Sequence, residues 1–567
     1  MEIEQRVHAL ESNIQALTRR VDNRSSNLYE RTRQSDTSGE GQFDESPSIV
    51  DGGDRVSPLT EQSFLTSAHD GIFSSRHSGP PSIHSALDMV LGSGSDNLSP
   101  NVGLVDSVLL QSDLPPYNLM QNLVDLFFKH IIIWAPILTQ NSVHAILSVP
   151  YFSLEDSMLL HAIVTTTIRF SQDPTLTPDA RARYHRTSKQ KVQIFVLENT
   201  SVTALQALVL LALDALGTSD GPEGWKLLTL LGQSVVHMGL SREKSVFLDS
   251  SSNDKVAAGR GRSWPAVTLS QPHDWIEEEG RRRLVWLVYM LDRYTTVGTH
   301  SNFVLGEYFM NLPLPCRFDS FSNNESAETK WFRGLSASWD PSRNEQLGSF
   351  SYHCEVLMIL SEIHHLVGEP LDVESPAVVH AWRNKYRLLD GRLNKWLSEL
   401  PEHATISQLC HSDPAARVSN WIMIHAAFIL SVIRLHSTAA YPVVKSQYFP
   451  PSNNAMQRCL AVVESLRGIT LDVIQTGALH LLGFPYAFIL WTAARLLIVH
   501  SAVMKAEIDQ TIWFFITALE AMSQCWPVAG SYSKILRQTL HRGDKNRIHS
   551  TSSAIGDHGV SFELMRR

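Results

Sequence analysis

Residues 277–316 read EEEGRRRLVWLVYMLDRYTTVGTHSNFVLGEYFMNLPLPC. Apolar residues in this stretch recur at i, i+3, i+4, i+7 and i+10, the spacing that gathers side chains on one side of a helix: Leu284, Leu287, Val288, Leu291 and Tyr294. Three consecutive arginines, 281–283, open the helix, and Asp292 and Arg293 interrupt its apolar side near the end. The pattern predicts a helix that begins with charge and packs its apolar side into a core.

The arginines at 281–283 cannot all point in one direction, because neighbouring positions on a helix are about 100° apart. At least one is therefore expected to face solvent, while another pairs with Glu277, Glu278 or Asp292. We interpret the run as a charged helix start with ion pairs, in preference to a phosphate-binding site. Asp292 follows the apolar stripe, so we expect it to be a buried or half-buried partner of an arginine.

Length and composition predict a large folded body. Of the 567 residues, 43% are hydrophobic, and apolar helical patterns recur without an obvious internal linker after residue 114. We therefore predict an all-α, multi-helix domain over 113–540. The formal net charge of −9 gives no overall basic footprint for nucleic acid. The tryptophans in apolar helical patterns are expected to be core anchors and not a base-stacking platform: Trp225, Trp286, Trp382, Trp396 and Trp526.

The first 22 residues carry a short heptad pattern. Its apolar residues alternate steps of four and three: Ile3, Val7, Leu10, Ile14, Leu17 and Val21. β-branched residues then occupy the a positions, with mostly leucine at d, a combination that favours a parallel pair of helices. We predict a dimerisation helix over 1–22, giving a homodimer or heterodimer. The alternative is an isolated amphipathic helix or one that packs on its own body.

Residues 23–112 are rich in Ser, Gly, Asp and Pro, a composition that buries too little apolar surface to offset its ordering entropy. We predict a disordered linker there and a disordered tail over 541–567. The longest apolar run, 488–503, is interrupted by Arg495 and is shorter than the roughly 20 residues that span a bilayer. The start of the sequence lacks an apolar signal core. We expect an intracellular protein without a membrane segment.

Candidate catalytic and metal-binding patterns are weak. The five cysteines are widely spaced, which suggests neither a disulfide framework nor a metal site. Residues 217–221, GTSDG, match the formal pattern of a nucleophile elbow but follow a predicted helix and not a strand. His364 and His365 are adjacent and so diverge on a helix. We predict no catalytic residues, no bound metal and no enzyme; a helical enzyme with residues assembled from distant segments is the alternative.

The central stretch resembles the signature of the fungal-specific transcription factor domain, the helical regulatory region that follows the binuclear zinc cluster in fungal regulators. The residues that carry the resemblance precede a Leu-Pro-Leu-Pro loop at 312–315 and are Glu279, Arg281, Arg282, Arg283, Trp286, Asp292 and Arg293. Further blocks resemble the family in the same order: 113–143, 201–240, 382–401, 421–436, 485–497 and 522–536. The resemblance covers about 113–540. It departs from the family at 298–301, where Gly-Thr-His-Ser replaces a common Gly-Arg-Pro turn.

The resemblance implies a nuclear regulator of RNA polymerase II transcription, whose helical domain controls activity in response to a small-molecule effector or a protein partner. In that family six cysteines hold two zinc ions ahead of the coiled coil, whereas the first cysteine here is Cys316. We therefore expect no zinc cluster in this chain, and DNA contact only through an upstream cluster or a partner. The alternative is a dimerising interaction protein that lacks DNA binding and modulates full-length relatives. Target genes, effector, and activation versus repression are left open.

Overall fold

The computed structural model describes residues 113–219, 221–241, 269–299, 301–306, 310–331, 345–401, 404, 420–444 and 446–550, the last eight by backbone only. The predicted dimerisation helix at 1–22, the linker at 23–112 and most of the tail after 541 lie outside the described residues. Within the described ranges the chain forms 15 α-helices, and its only β-pairing is two isolated bridges. The predicted all-α fold class is confirmed.

The helices of the first half, numbered in chain order, are α1 Tyr117–Phe127, α2 Gln140–Ser148, α3 Leu154–Thr167, α4 Pro178–Glu198, α5 Val202–Thr218, α6 Pro222–His237 and α7 Trp275–Thr299. Those of the second half are α8 Phe318–Asn323, α9 Ser349–Gly368, α10 Pro376–Ser398, α11 Asn420–Ala440, α12 Asn453–Gln475, α13 Phe484–Met504, α14 Gln510–Met522 and α15 Pro527–Ser550. A π-turn at Phe128–Ile132 and short 3₁₀ turns extend some of them.

Polar capping residues fix where several helices begin. The Ser153 hydroxyl accepts a hydrogen bond from the Asp156 amide at the start of α3. Thr177 caps α4 in the same way, and Pro178 occupies the first helical position, where no amide hydrogen is needed. Asp509 caps α14. Each side chain satisfies one of the amides that a helix start leaves without a partner.

The central helix is α7, which contacts α5, α6 and α9. α3 packs against α4 and α5, while α9 packs against α10 and α11, and α15 returns to contact α5. The predicted stripe is buried, but the residues between its members are fully buried too, Trp286 and Tyr289 included. The sequence predicted burial of one side of α7 only. In the structure, neighbouring segments enclose the helix on all sides along most of its length.

Four of the five tryptophans predicted to anchor the core are buried: Trp286, Trp382, Trp396 and Trp526. The prediction is wrong for Trp225, whose side chain is 48% exposed. The preceding residue, Gly224, faces α5 so closely that an added Cβ would lie 2.6 Å from Leu216. Since adjacent residues point about 100° apart on a helix, Trp225 points away from that contact.

Two helices, α11 and α13, are long and apolar enough by length and composition to cross a membrane. α13 contains the run at 488–503 but is longer than that run, because it extends to 21 residues. In their most apolar 18 residues, 83% of α11 and 50% of α13 are buried within the protein. α11 packs against α9, α12 and α13, which is the arrangement of a core helix.

Candidate functional site

The first part of the candidate site is a buried carboxylate at the start of α7. Glu279 is fully buried, and its carboxylate accepts hydrogen bonds from Arg283 at 2.9 Å and from Arg282 at 2.6 Å. The same carboxylate accepts a hydrogen bond from the Cys316 amide at 2.9 Å. A buried charge is tolerated when it is paired and fully hydrogen-bonded, so Glu279 joins α7 to the segment after the Leu-Pro-Leu-Pro loop.

Arg283 extends this network to two further segments. Its guanidinium donates to the Pro136 carbonyl at 3.2 Å and to the Cys316 carbonyl at 2.6 Å. The group also lies 4.4 Å from the centre of the Phe321 ring in α8, within cation–π range. Burial, which has the largest effect, and the negative charge of Glu279 raise the pKa of the Cys316 thiol to about 12, so the thiol is neutral. Arg283 therefore fixes the positions of three chain segments around one buried charge.

The expectation that at least one of the three arginines faces solvent is wrong. Arg282 and Arg283 are buried and Arg281 is half-buried. Arg281 pairs with Glu277 at 2.5 Å and donates to the Ser270 carbonyl at 2.8 Å, so the chain preceding α7 covers it. Each arginine of the run finds an acid one turn earlier in the helix, which the sequence does place at i−4 and i−3.

A second buried pair lies at the far end of α7. The Asp292 carboxylate accepts from Arg293 at 2.6 Å, from the Leu305 amide at 3.0 Å and from the Val304 amide at 3.1 Å. Burial raises the pKa of Asp292, while the charge of Arg293 and these hydrogen bonds oppose that rise. Asp292 is thus the buried partner of an arginine, and it holds the loop after α7.

Arg293 links this loop to α9. It donates to the Leu305 carbonyl at 2.9 Å and to the Ser361 hydroxyl at 2.9 Å. Its guanidinium lies between two aromatic rings, 3.8 Å from the centre of Tyr289 and 4.1 Å from that of Phe303. Five of the seven residues of the sequence signature therefore form two networks on one helix. Of the other two, Arg281 pairs with Glu277, and Trp286 donates to the Pro313 carbonyl at 2.9 Å.

A third charged cluster, which was not predicted from the sequence, surrounds Asp214 near the end of α5. This fully buried carboxylate pairs with Arg169, with His185 at 3.1 Å and with Lys189 at 4.0 Å. Burial by itself would raise the pKa of Asp214, but the hydrogen bond from His185 and the positive charges of Arg169 and Lys189 hold it below its usual value. The sequence does contain a signal for a buried, paired carboxylate here, because Asp214 is the one charged residue in the apolar sequence 202–218.

Beside this cluster is an open cleft of about 370 Å³. Residues of the turn after α3, of α4 and of the start of α15 line it, together with Thr218 at the end of α5. Its basic side chains are Arg169, Arg181 and His185, and its apolar wall includes Ile168 and Leu176. The cleft thus combines positive charge with an apolar surface.

The weak catalytic and metal-binding patterns of the sequence have structural roles. Gly217 and Thr218 end α5, and the Thr218 hydroxyl donates to the Asp214 carbonyl at 2.7 Å; Asp220 lies outside the described residues. The ring of His364 contacts the Ser301 carbonyl at 3.0 Å. Among the described residues no group of three or more His, Cys, Asp or Glu side chains is arranged to hold a metal ion.

Comparison with known proteins gives a family match. Residues 124–397 match the model of the fungal specific transcription factor domain. This range begins in α1, ends in α10 and contains both networks of α7.

Relatives with curated descriptions point the same way. The chain is similar to the Zn(2)-C6 fungal-type transcription factor FTF1c of Fusarium oxysporum f. sp. lycopersici, with 25% identity over 231 residues, which is 39% of this chain and 22% of the relative. FTF2 of the same organism is 30% identical over 116 residues, covering 20% of this chain and 9% of the relative. The matched part therefore spans less than a quarter of the length of these relatives.

Proposed function

This chain carries a fungal-specific transcription factor domain, and we propose that it acts in a fungal nucleus as a regulator of RNA polymerase II transcription. The observation that carries the proposal is the family match over 124–397, which coincides with the helices that surround α7. The named relatives, which are Zn(2)-C6 fungal-type transcription factors, support the same class. Transcription factors act by binding partners and not by turnover.

We propose that the helical body controls the activity of the regulator. α7 fixes the positions of four distant chain segments: the loop at Pro136, the segment 313–317, the loop 304–305 and α9 through Ser361. Because each of these contacts ends on a buried charge or a buried tryptophan, displacement of one segment leaves a polar group without a partner. A ligand or partner that moves one of these segments would therefore favour a different arrangement of the others.

A tethered reporter tests the proposal. The whole chain, fused to a DNA-binding module from another protein, is expressed in a fungal reporter strain and compared with the module alone. We expect reporter output to change severalfold, upward for an activator and downward for a repressor. Output equal to that of the module alone, at equal protein level in the nucleus, would contradict a role in transcription.

Matched variants of the fusion address the control role. Glu279→Gln weakens the buried network, whereas Glu277→Gln changes a half-buried acid two residues before Glu279 on the same helix. We expect Glu279→Gln to alter reporter output and Glu277→Gln to leave it near that of the unmodified fusion, with both proteins compared at equal abundance. Equal output from all three fusions would argue against control through α7.

Dimerisation through the first 22 residues remains our proposal from the heptad pattern, and it supports a second candidate function. A chain that pairs with full-length relatives but does not read DNA would weaken their binding to DNA. Sedimentation of the purified chain, compared with an Ile14→Lys variant, measures the pairing. A gel-shift assay then separates the candidates: specific DNA binding by this chain alone would contradict the second one.

A further inference from the structure

The cleft beside α4 and α5 has more positive than negative charge facing it. Arg181 forms hydrogen bonds with the backbone carbonyls of Ile168 and, at 2.8 Å, Ser171, and it has no ion pair with a carboxylate among the described residues. Asp214 pairs with Arg169 and Lys189 and contacts the ring of His185, while Lys189 also pairs with Glu223 at 2.8 Å. Arg169 and Arg181 both line the cleft, and no carboxylate is among the residues that line it, which favours an anionic ligand.

Arg169 at the same cleft has unused hydrogen-bonding capacity. One of its terminal nitrogens donates to Asp214 and, at 3.1 Å, to Thr218. Its Nε and its other terminal nitrogen are buried and have no acceptor in the part of the chain that the structure describes. The guanidinium lies 5.3 Å from the centre of the Trp526 ring, which supports its position but supplies no acceptor. Buried donors without acceptors are costly, so a small shift toward an acceptor in the cleft would be favourable.

The rest of the cleft is apolar. Leu176, Pro178, Ala182 and Pro527 line it along with Ile168. A volume of about 370 Å³ lies within the range of small-molecule sites, which combine apolar walls with a few polar groups that orient the ligand. The chemistry of the lining therefore suits a ligand with one anionic group and an apolar body.

We propose that this cleft binds a small organic carboxylate, with the carboxylate against Arg169 and Arg181 and the apolar part against Leu176 and Ala182. Because the lining comes from α4, from the end of α5 and from the start of α15, such a ligand would join helices that are distant in sequence. Its regulatory consequence rests on the proposed function, whereas binding itself does not.

Isothermal titration of the purified chain with octanoate and with octanamide tests the proposal. The two probes share an apolar chain and differ in charge at one end. We expect octanoate to bind about tenfold or more tightly than octanamide, because the amide has no negative charge to pair with arginine and only one acceptor oxygen. Equal binding of both probes, or no binding of octanoate, would overturn the proposal.

Variants locate the binding site. Ala182 is exposed at the cleft, so Ala182→Phe should fill the space without disturbing the core, and octanoate affinity should fall about tenfold. Arg181→Gln removes the cation and should weaken binding similarly, while Arg186→Gln removes an exposed charge from the same helix and should change affinity less than about twofold. Arg181→Gln also loses hydrogen bonds to backbone carbonyls. If Arg181→Gln fails to fold, Ala182→Phe alone tests whether the cleft is the binding site.

The binding experiments and the reporter experiments test the cleft and the proposed function separately. If the tethered chain changes reporter output but Ala182→Phe binds octanoate as tightly as the unmodified chain, the cleft is not the site and the transcriptional role stands. If octanoate binds as expected but the tethered chain has no effect, the cleft is a ligand site in a protein with another role.

Discussion

Arg281 and Arg283 belong to one sequence run but differ in environment. Arg283 is fully buried, and its donors reach Glu279 and backbone carbonyls of two other segments. Arg281 is half-buried and pairs with Glu277, an acid that is 31% exposed. Loss of one partner of a buried pair leaves an uncompensated buried charge. When one partner of a partly exposed pair is lost, water can solvate the remaining charge at little cost. The same residue type therefore contributes differently to stability at two neighbouring positions.

This difference predicts the stability of two matched variants. Arg283→Gln should lower the free energy of unfolding by about 3 kcal/mol or more, because Glu279 loses one of its two charged partners and three backbone carbonyls lose a donor. Arg281→Gln should lower it by about 1 kcal/mol or less. Urea unfolding followed by circular dichroism measures both. Equal losses for the two variants would show that burial does not separate them.

At the scale of elements, close packing of helices onto loops depends on glycine. Gly232 in α6 is buried, and an added Cβ would lie 2.5 Å from the side chain of Val304. The Val304 amide donates to Asp292, so this loop is held between α6 and the charged end of α7. The helix sequence alone would favour alanine at this position, but the approach of the loop requires glycine.

Substitution of two helical glycines tests this point. Gly232→Ala should destabilise the protein by about 1–3 kcal/mol, because Val304 and its loop must move. Gly391 in α10 is exposed with no neighbour within 4 Å, and Gly391→Ala should stabilise by roughly 0.5–1 kcal/mol through lower backbone entropy in the unfolded chain. Thermal unfolding of both variants measures the two signs. A stabilising Gly232→Ala would mean that the loop yields freely.

At the scale of the whole molecule, several neutral histidines are buried in different regions. Burial lowers the pKa of each to about 4: His130, His161, His353 and His436. His353, for example, lies between the Tyr294 hydroxyl at 2.7 Å and the Asn420 side chain at 3.1 Å. In the unfolded chain these rings would titrate near 6.5, so the unfolded state binds more protons than the folded state between these two values.

The sign of the pH dependence follows. A folded-state pKa below the unfolded value gives stability that is fully present above about pH 6.5 and is lost as pH falls toward the folded pKa. Lowering pH from 7 to 5 should therefore reduce the free energy of unfolding by about 1–2 kcal/mol for each of these histidines. Urea titrations at several pH values measure the slope, and His353→Gln should make it shallower. Unchanged stability over this range would contradict neutral, buried rings.

The sequence by itself determined the helical class, the position of α7 and the presence of charges at both its ends, because helical periodicity and spacing along one helix are local properties. The acids that pair with the arginine run were already placed one turn away. The family resemblance, carried by the same stretch, agrees with the domain match over 124–397.

Only the tertiary structure decided what lies against those residues. That Arg281 is covered, that Trp225 is exposed and that Asp214 gathers cations from the turn after α3 and from α4 depends on which helices and loops meet in space. The cleft likewise draws its lining from segments that are far apart in the chain. Periodicity tells which side of a helix is apolar, but burial of the other side and the partners of a buried charge arise from packing between distant segments.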